Sequence, residues 1–351
     1  MRIIPLTRSS YLRPGRICLD DSRLFMGIAS KSWLPVHMLD DPQALIPLHA
    51  AWSFYQGVVD HLGLHNFLNR INTISATQVF LGRSYLTANQ EPSSLEYLLK
   101  ASNPLGIDSN VDSTELKVVD KTWILELTTE RHSGGLWIQD LLGIHFLRWS
   151  VQYFEPSFFP RSVRVRSGKR LDRQLLLNQF GADHVKYGAP SIGIEIPEEL
   201  LSRVITPQRV VEIDDSDLID RSPGTKMPVC FLCSLVETLK TYQDERWLSI
   251  KELSELVGFS ERTIQRRFLK SIKGASYRDI VLEVKVRSAI ELLKDPKLAI
   301  TQIASRLGFS TPSNFSRSFR NITGISPTDF RRSSYTDGTS KHLTIERCFS
   351  L

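Results

Sequence analysis

Two segments of this chain repeat one another at a distance of fifty residues. LSIKELSELVGFS, Leu248 to Ser260, aligns with LAITQIASRLGFS, Leu298 to Ser310. The shared positions are Leu248/Leu298, Ile250/Ile300, Gly258/Gly308, Phe259/Phe309 and Ser260/Ser310. Downstream, Phe268 matches Phe319 at an offset of 51. Gly274, Ser276 and Asp279 then match Gly324, Ser326 and Asp329 at 50 again. The second copy thus carries one extra residue in its turn and loses one later. Two copies are too few for a solenoid. They predict a pair of similar small modules.

Each copy reads as helix, tight turn, helix. In the first, Ile250, Leu253 and Val257 form an apolar stripe at helical spacing. Ser249 with Glu252 three residues on fits a capping box. Gly258 suits the left-handed residue that ends a helix. A second helix then starts at Ser260, with Ile264 and Phe268 facing inward. In the second copy the stripe is Ile300, Ile303 and Leu307, followed by Gly308. Ser310 or Thr311 caps the next helix, Pro312 suits its first turn, and Phe315 and Phe319 face inward. Ala299 stands where Ser249 caps the first copy, so the helix after it is expected to be less well capped. The small residues Ser254 and Ala304 fall at matching places, where the two helices must approach closely. Between the copies, Tyr277 to Lys294 reads as a longer linking helix with Ile280, Val281, Val284, Ala289, Ile290 and Leu293, ended by Asp295-Pro296.

Charge narrows the chemistry. The net charge of +6 is unevenly spread. Residues 231–351 hold 20 Lys and Arg against 13 Asp and Glu, whereas residues 1–230 hold 24 against 25. A basic domain beside a neutral one points to a polyanion. With the inward positions removed, the first outer helix exposes Glu261, Arg262, Thr263, Gln265 and Arg266. The second exposes Ser313, Asn314, Ser316, Arg317 and Arg320. Arg clamps guanine with two hydrogen bonds, and Asn or Gln does the same with adenine. Arg267, Lys270, Lys273, Arg331 and Arg332 suit phosphate contacts, which carry no sequence information.

Residues 231–332 closely resemble the DNA-binding domain of the AraC/XylS transcription regulators. The resemblance is carried by IKELSELVGFSERTIQRRFLKSIKGASYRDI, by Arg287, Ala289 and Leu292-Leu293, and by ITQIASRLGFSTPSNFSRSFRNITGISPTDFRR. Ile303 to Arg331 matches that family's signature over its whole length. One departure is Tyr277, where the family commonly has proline. The resemblance implies two helix-turn-helix units that read successive major grooves on one face of double-stranded DNA. It also implies transcription control, more often activation through contact with RNA polymerase. Carried over by position, the base-reading residues are Arg262, Thr263, Gln265 and Arg266, then Ser313, Asn314 and Arg317, with Ser316 beside them as a further DNA contact.

The stretch from Arg209 to Pro228 is acidic, lacks a helical period and contains Pro223-Gly224, so a domain junction is expected near residue 225. The expected layout is a sensing or dimerisation domain over 1–225, the DNA-binding domain over 226–335 and a tail over 336–351. Residues 1–225 suggest a mixed α+β or α/β fold. Ser75 to Leu86 and Lys117 to Thr128 carry strand-like runs. Leu45 to Leu62, Ser94 to Leu99 and Leu136 to Val151 look helical, and Phe180 to Ile205 reads as turns, short strands and a final helix. That last stretch, LGRSYLT near Leu81 and the helix at Leu136 to Trp149 are similar to the "arabinose-binding" type domain in one branch of the same family. This implies a sensory domain that binds a small molecule or mediates dimerisation. No run of about 18 apolar residues occurs, so no membrane helix is expected. Four cysteines in 351 residues do not make a disulfide scaffold. A cytoplasmic homodimer is expected, without cofactor or metal.

No spacing singles out a catalytic couple, so no enzyme is expected. Cys230-x-x-Cys233 lacks the second pair that a zinc site needs. His61 and His65 are four apart, but no Glu stands between them as in a metalloprotease helix. Gly134-Gly135 reads as a plain turn. Trp137, Phe146, Trp149, Tyr153, Phe154, Phe158 and Phe159 line either a ligand cavity or the core.

Overall fold

The computed structural model describes residues 3–80, 93–102, 109, 112–129, 136–168, 173–205, 227–271 and 276–336. The expected junction near residue 225, LGRSYLT, Gly134-Gly135, Lys273 and the 337–351 part of the tail all lie outside the described residues. The described chain divides into two units, one from Pro5 to Val229 and one from Cys230 onward that also takes in Ile4.

The N-terminal unit is α+β. Its elements in chain order are β1 (Leu6–Arg8), α1 (Arg13–Leu19), α2 (Ser22–Lys31), β2 (Leu45–Pro47), α3 (Leu48–Leu62), α4 (Leu64–Thr73), α5 (Ala76–Phe80), β3 (Ser93–Ser94) and α6 (Leu95–Ser102). There follow β4 (Ser113–Val119), β5 (Thr122–Thr128), α7 (Leu136–Gln152), β6 (Ser162–Arg164), α8 (Arg173–Phe180), β7 (His184–Lys186), β8 (Ile192–Glu195), α9 (Glu198–Leu201) and β9 (Val204–Ile205). Five strands form one sheet in the order β4-β5-β8-β6-β7, antiparallel except for the β6–β7 pair. The hairpin β4–β5 turns at Asp120 and Lys121, which adopt φ of 51° and 66°, as a two-residue hairpin turn requires. Helix α7 packs on β5 and β8. Gly143 makes that approach possible, because a Cβ there would lie 2.6 Å from Ile192 Cδ1.

Two expectations for this unit need correction. The helix expected over Leu45 to Leu62 starts only at Leu48, because Leu45–Pro47 pairs with β1. The strand expected from Ser75 begins instead with α5. There Gln78 N–H donates to Ser75 Oγ at 3.3 Å while Ser75 N–H donates to Gln78 Oε1 at 2.9 Å, a capping box that outweighs the local strand propensity. His61 and His65 do not share a helix, because the chain breaks at Gly63 between α3 and α4.

The C-terminal unit is helical throughout its described residues: α10 (Phe231–Tyr242), α11 (Ile250–Val257), α12 (Glu261–Ser271), α13 (Tyr277–Leu293), α14 (Ile300–Arg306), α15 (Pro312–Thr323) and α16 (Pro327–Thr336). Both α13 and α16 open on a Ser-x-x-Asp cap. Asp279 N–H donates to Ser276 Oγ at 3.3 Å, and Asp329 N–H to Ser326 Oγ at 3.1 Å. The repeated Ser and Asp positions are therefore helix starts. Val286, Ala289 and Leu293 of α13 join Ile303, Ala304, Leu307, Phe315 and Phe319 in one buried cluster. Val286 escapes the periodicity because α13 is apolar on several sides, as a helix packed on several neighbours must be.

Candidate nucleic-acid interface

The first helix pair is fixed by its caps. Ser249 Oγ accepts from Glu252 N–H at 3.2 Å, and Glu252 Oε2 accepts from Ser249 N–H at 2.8 Å. The Ser249 N–H, and after it the Ser249 hydroxyl, hold the Glu252 carboxyl below its usual range. A carboxyl with a depressed folded pKa stabilises at neutral pH, and that contribution is lost as the pH falls through the folded value. Ser249→Ala is expected to cost about 1 kcal/mol in urea unfolding at neutral pH, and an unchanged midpoint would refute this role for the cap. Helix α11 ends at Gly258 with φ 69°, and α12 starts under Ser260, whose Oγ accepts from Thr263 N–H at 3.3 Å. Leu253, Leu256, Val257, Ile264 and Phe268 are buried, while Ile250 is only half-buried. The Phe268 ring lies 5.8 Å from both Phe231 and Tyr277.

The second pair repeats this plan with different caps. Ala299 supplies no side-chain cap, and only Gln302 closes the helix start by accepting from Ala299 N–H at 2.8 Å. Gly308 turns the chain with φ 64°. Thr311 rather than Ser310 caps α15, accepting from Asn314 N–H at 3.1 Å, and Pro312 occupies the first turn. Phe315 and Phe319 are fully buried. Ala304 is buried as well, while Ser254 is half-buried.

The anchored faces leave the candidate side chains on the outside. Arg262, Gln265 and Arg266 of α12 are exposed, and Thr263 is half-buried with its hydroxyl 2.9 Å from that of Ser260. On α15, Ser313, Asn314 and Arg317 are exposed and Ser316 is half-buried. Asn314 Nδ2 donates to Ser310 Oγ at 2.7 Å. Three of the phosphate candidates are placed differently from one another. Arg267 is half-buried, with its guanidinium 4.2 Å from the Phe259 ring centroid and 5.2 Å from that of Phe231. Arg331 Nε donates to the Leu293 carbonyl at 3.3 Å. Arg332 stays exposed and pairs with Asp329. Of Lys270, only its place in α12 is described.

Residues 253–333 match the helix-turn-helix domain family. The C-terminal unit carries an AraC-type helix-turn-helix domain. The chain is 33% identical over 111 residues to the HTH-type transcriptional regulator GlxA of Rhizobium meliloti, covering 32% of this chain and 33% of that protein. It is 31% identical over 123 residues to the HTH-type transcriptional regulator RipA of Corynebacterium glutamicum, covering 35% and 37%. The matches thus span about a third of these relatives' length. Both are named as regulators and neither as an enzyme. A solved structure of an AraC-type transcriptional regulator from Chromobacterium violaceum is 30% identical, covering 30% of this chain and 91% of that one, with a TM-score of 0.27.

Around the helix-turn-helix domain's second turn lies a contact that periodicity did not reveal. Lys285 of α13 donates from Nζ to the Gly308 carbonyl at 3.1 Å, and its ammonium lies 4.9 Å from the Trp247 ring and 5.0 Å from the Phe309 ring. Burial lowers its pKa. The signal for it was too thin, because a lone Lys on a linking helix looks like any solvated charge.

The other candidates resolve into structure. Cys230 Sγ accepts from Cys233 N–H at 3.1 Å and so caps α10. No group of metal-binding side chains occurs among the described residues. Phe146, Trp149 and Phe158 are buried in the core, with Trp149 Nε1 donating to the Ile74 carbonyl at 3.0 Å. Phe159 is instead 55% exposed. A cavity of about 160 Å³ lies elsewhere in the N-terminal unit, against Ser9, Arg13, Arg16, Phe25 and Asp40. No helix among the described residues is long and apolar enough to cross a membrane.

Proposed function

We propose that this chain is a sequence-specific DNA-binding transcription regulator. Its two helix pairs are two helix-turn-helix units, joined by α13, that enter successive major grooves with α12 and α15. The observation that carries this reading is a shared one. Each outer helix buries two residues four apart, Ile264 and Phe268 or Phe315 and Phe319, and keeps polar side chains outward. That geometry suits a helix laid in a groove with its first turns on base edges. In this reading Arg262, Gln265, Arg266, Asn314 and Arg317 contact bases, Thr263, Ser313 and Ser316 contact bases or phosphates, and Arg332 contacts phosphate. Residues 1–225 act as the sensing and dimerisation part, 226–335 as the DNA-binding part and 336–351 as a tail. The protein works in the cytoplasm as a homodimer, and a small-molecule effector shifts it between states that activate transcription to different extents through RNA polymerase.

Footprinting on the DNA flanking its own gene tests the reading, with two protected major-groove patches about one helical turn apart expected. Arg317→Ala is expected to weaken the preferred duplex by about 1–3 kcal/mol and random DNA by much less. Equal losses on both would leave Arg317 only a phosphate role.

A second reading keeps the DNA-binding part but gives the N-terminal unit a protein partner or dimerisation alone. It is favoured by the core placement of Phe146, Trp149 and Phe158, three of the aromatic residues that could have lined a ligand cavity. Melting with candidate metabolites separates the two, since a ligand preferring the folded form raises Tm.

A further inference from the structure

The outward stripe of α12 contains a side chain unlike its neighbours. Arg262, Gln265, Arg266 and Leu269 stand at intervals of three, four and seven, so they share one face of the helix. Leu269 is 67% exposed, whereas Ile264 and Phe268 on the inward side are buried. The helix cannot roll to hide it, because Phe268 is held between the Phe231 and Tyr277 rings. A scattered exposed leucine is ordinary. This one closes, at the C-terminal end of α12, a face otherwise made of two Arg and one Gln. The second module differs at the matching place. At the offset of 51 set by Phe268 and Phe319, the counterparts are Ser313, Ser316, Arg317 and Arg320, and Arg320 is exposed.

A face with two arginines attracts a polyanion, and leucine can neither bind phosphate nor hydrogen-bond a base edge. The apolar group that the major groove offers is the thymine C5 methyl. We propose that Leu269 is a specificity-determining residue that packs on the methyl of a thymine in the groove occupied by α12. The proposal rests on the reading of α12 as a base-reading helix. It assigns to the first half of the operator a thymine preference that the second half lacks at the matching position, because Arg320 replaces Leu269 there.

The test uses the full-length protein. A preferred duplex is selected from random DNA, and each thymine in turn is replaced by deoxyuridine, which removes only the methyl. One position is expected at which this weakens native protein by about three- to fivefold, the worth of burying one methyl group. With Leu269→Ala, the thymine duplex is expected to lose a similar factor and the uridine exchange to have no further effect there. Leu269→Arg is expected to bind the thymine and uridine duplexes alike at that position. Because the side chain is mostly exposed, both variants should melt as the native protein does. Uridine sensitivity that is the same in native protein and Leu269→Ala overturns the assignment, as does the lack of any sensitive position. Unchanged DNA binding with loss of the dimer in Leu269→Ala would make the residue a protein contact and also overturn it. Selection of no sequence at all overturns the base-reading role of α12 together with the proposal.

Discussion

Phe319→Ala is expected to lower the unfolding free energy of the C-terminal unit by about 3–5 kcal/mol and to abolish specific DNA binding. Phe319 is fully buried, with its ring 5.8 Å from Phe315 and 5.7 Å from Phe330. Phe315 in turn lies 5.2 Å from Phe309 of the turn. The ring therefore ties α15 to α16 and, through the cluster with Val286, Ala289 and Leu293, to α13. Truncation removes the transfer free energy of the ring and leaves a hole in a densely packed cluster. Domains of this size are stable by only about 5–15 kcal/mol, so the loss is a large fraction of the total. Urea unfolding followed by tryptophan fluorescence and circular dichroism measures it. Phe319→Leu keeps most of the apolar bulk and should lose less. Equal, small losses of under about 1 kcal/mol for both variants would mean that the ring is not the anchor of α15. The arginines that face outward would then need another support.

Most of the C-terminal unit could be read from the chain because its information is local. The capping box at Ser249 and Glu252, the glycines at 258 and 308 and the phenylalanines at 315 and 319 act within a turn or two of themselves. Each left a mark at a fixed spacing, and each stands where that spacing placed it. What escaped is tertiary. Arg267 looks like another basic surface residue, yet at three residues from Ile264 it borders the inward face and stacks on Phe259. Arg331 hydrogen-bonds the last carbonyl of α13, 38 residues earlier in the chain. The N-terminal unit shows the same divide more sharply. Helix α7 was visible from its apolar run, but not the fate of the charges within it. Arg148 is 2% exposed, donating to Asn72 Oδ1 at 2.9 Å and lying 3.1 Å from His145 Nδ1. Burial lowers the Arg148 pKa to about 10 and pushes that of His145 well down. Nothing in the local sequence separates such an arginine from a solvated one, because its partner comes from α4.

Asp140→Ala is expected to destabilise the N-terminal unit by about 3–5 kcal/mol, for a reason that a compensating change can isolate. Asp140 lies on α7 and is fully buried. Its Oδ1 accepts from Arg166 Nε at 2.8 Å, and its Oδ2 accepts from Ser167 N–H at 2.6 Å. Arg166, 2% exposed at the side chain, also donates to Gln139 Oε1 at 3.0 Å and to the Thr129 carbonyl at 3.3 Å. Removing the carboxylate strands a buried guanidinium with only neutral acceptors and leaves a buried N–H without its partner. Replacing both ends by apolar residues of similar bulk, Asp140→Leu with Arg166→Met, removes the charge as well as its partner. The double variant should therefore recover much of the loss, short of the acceptor taken from Ser167 N–H and the donors taken from Gln139 Oε1 and the Thr129 carbonyl. Unfolding in urea of the two single variants and the double closes the cycle. A double variant as damaged as Asp140→Ala would place the cost in the lost hydrogen bonds to Ser167, Gln139 and Thr129 and in the geometry they set, instead of in the unpaired charge. The site where α7 meets the segment after β6 would then depend on backbone anchoring, and the ion pair would be incidental to it.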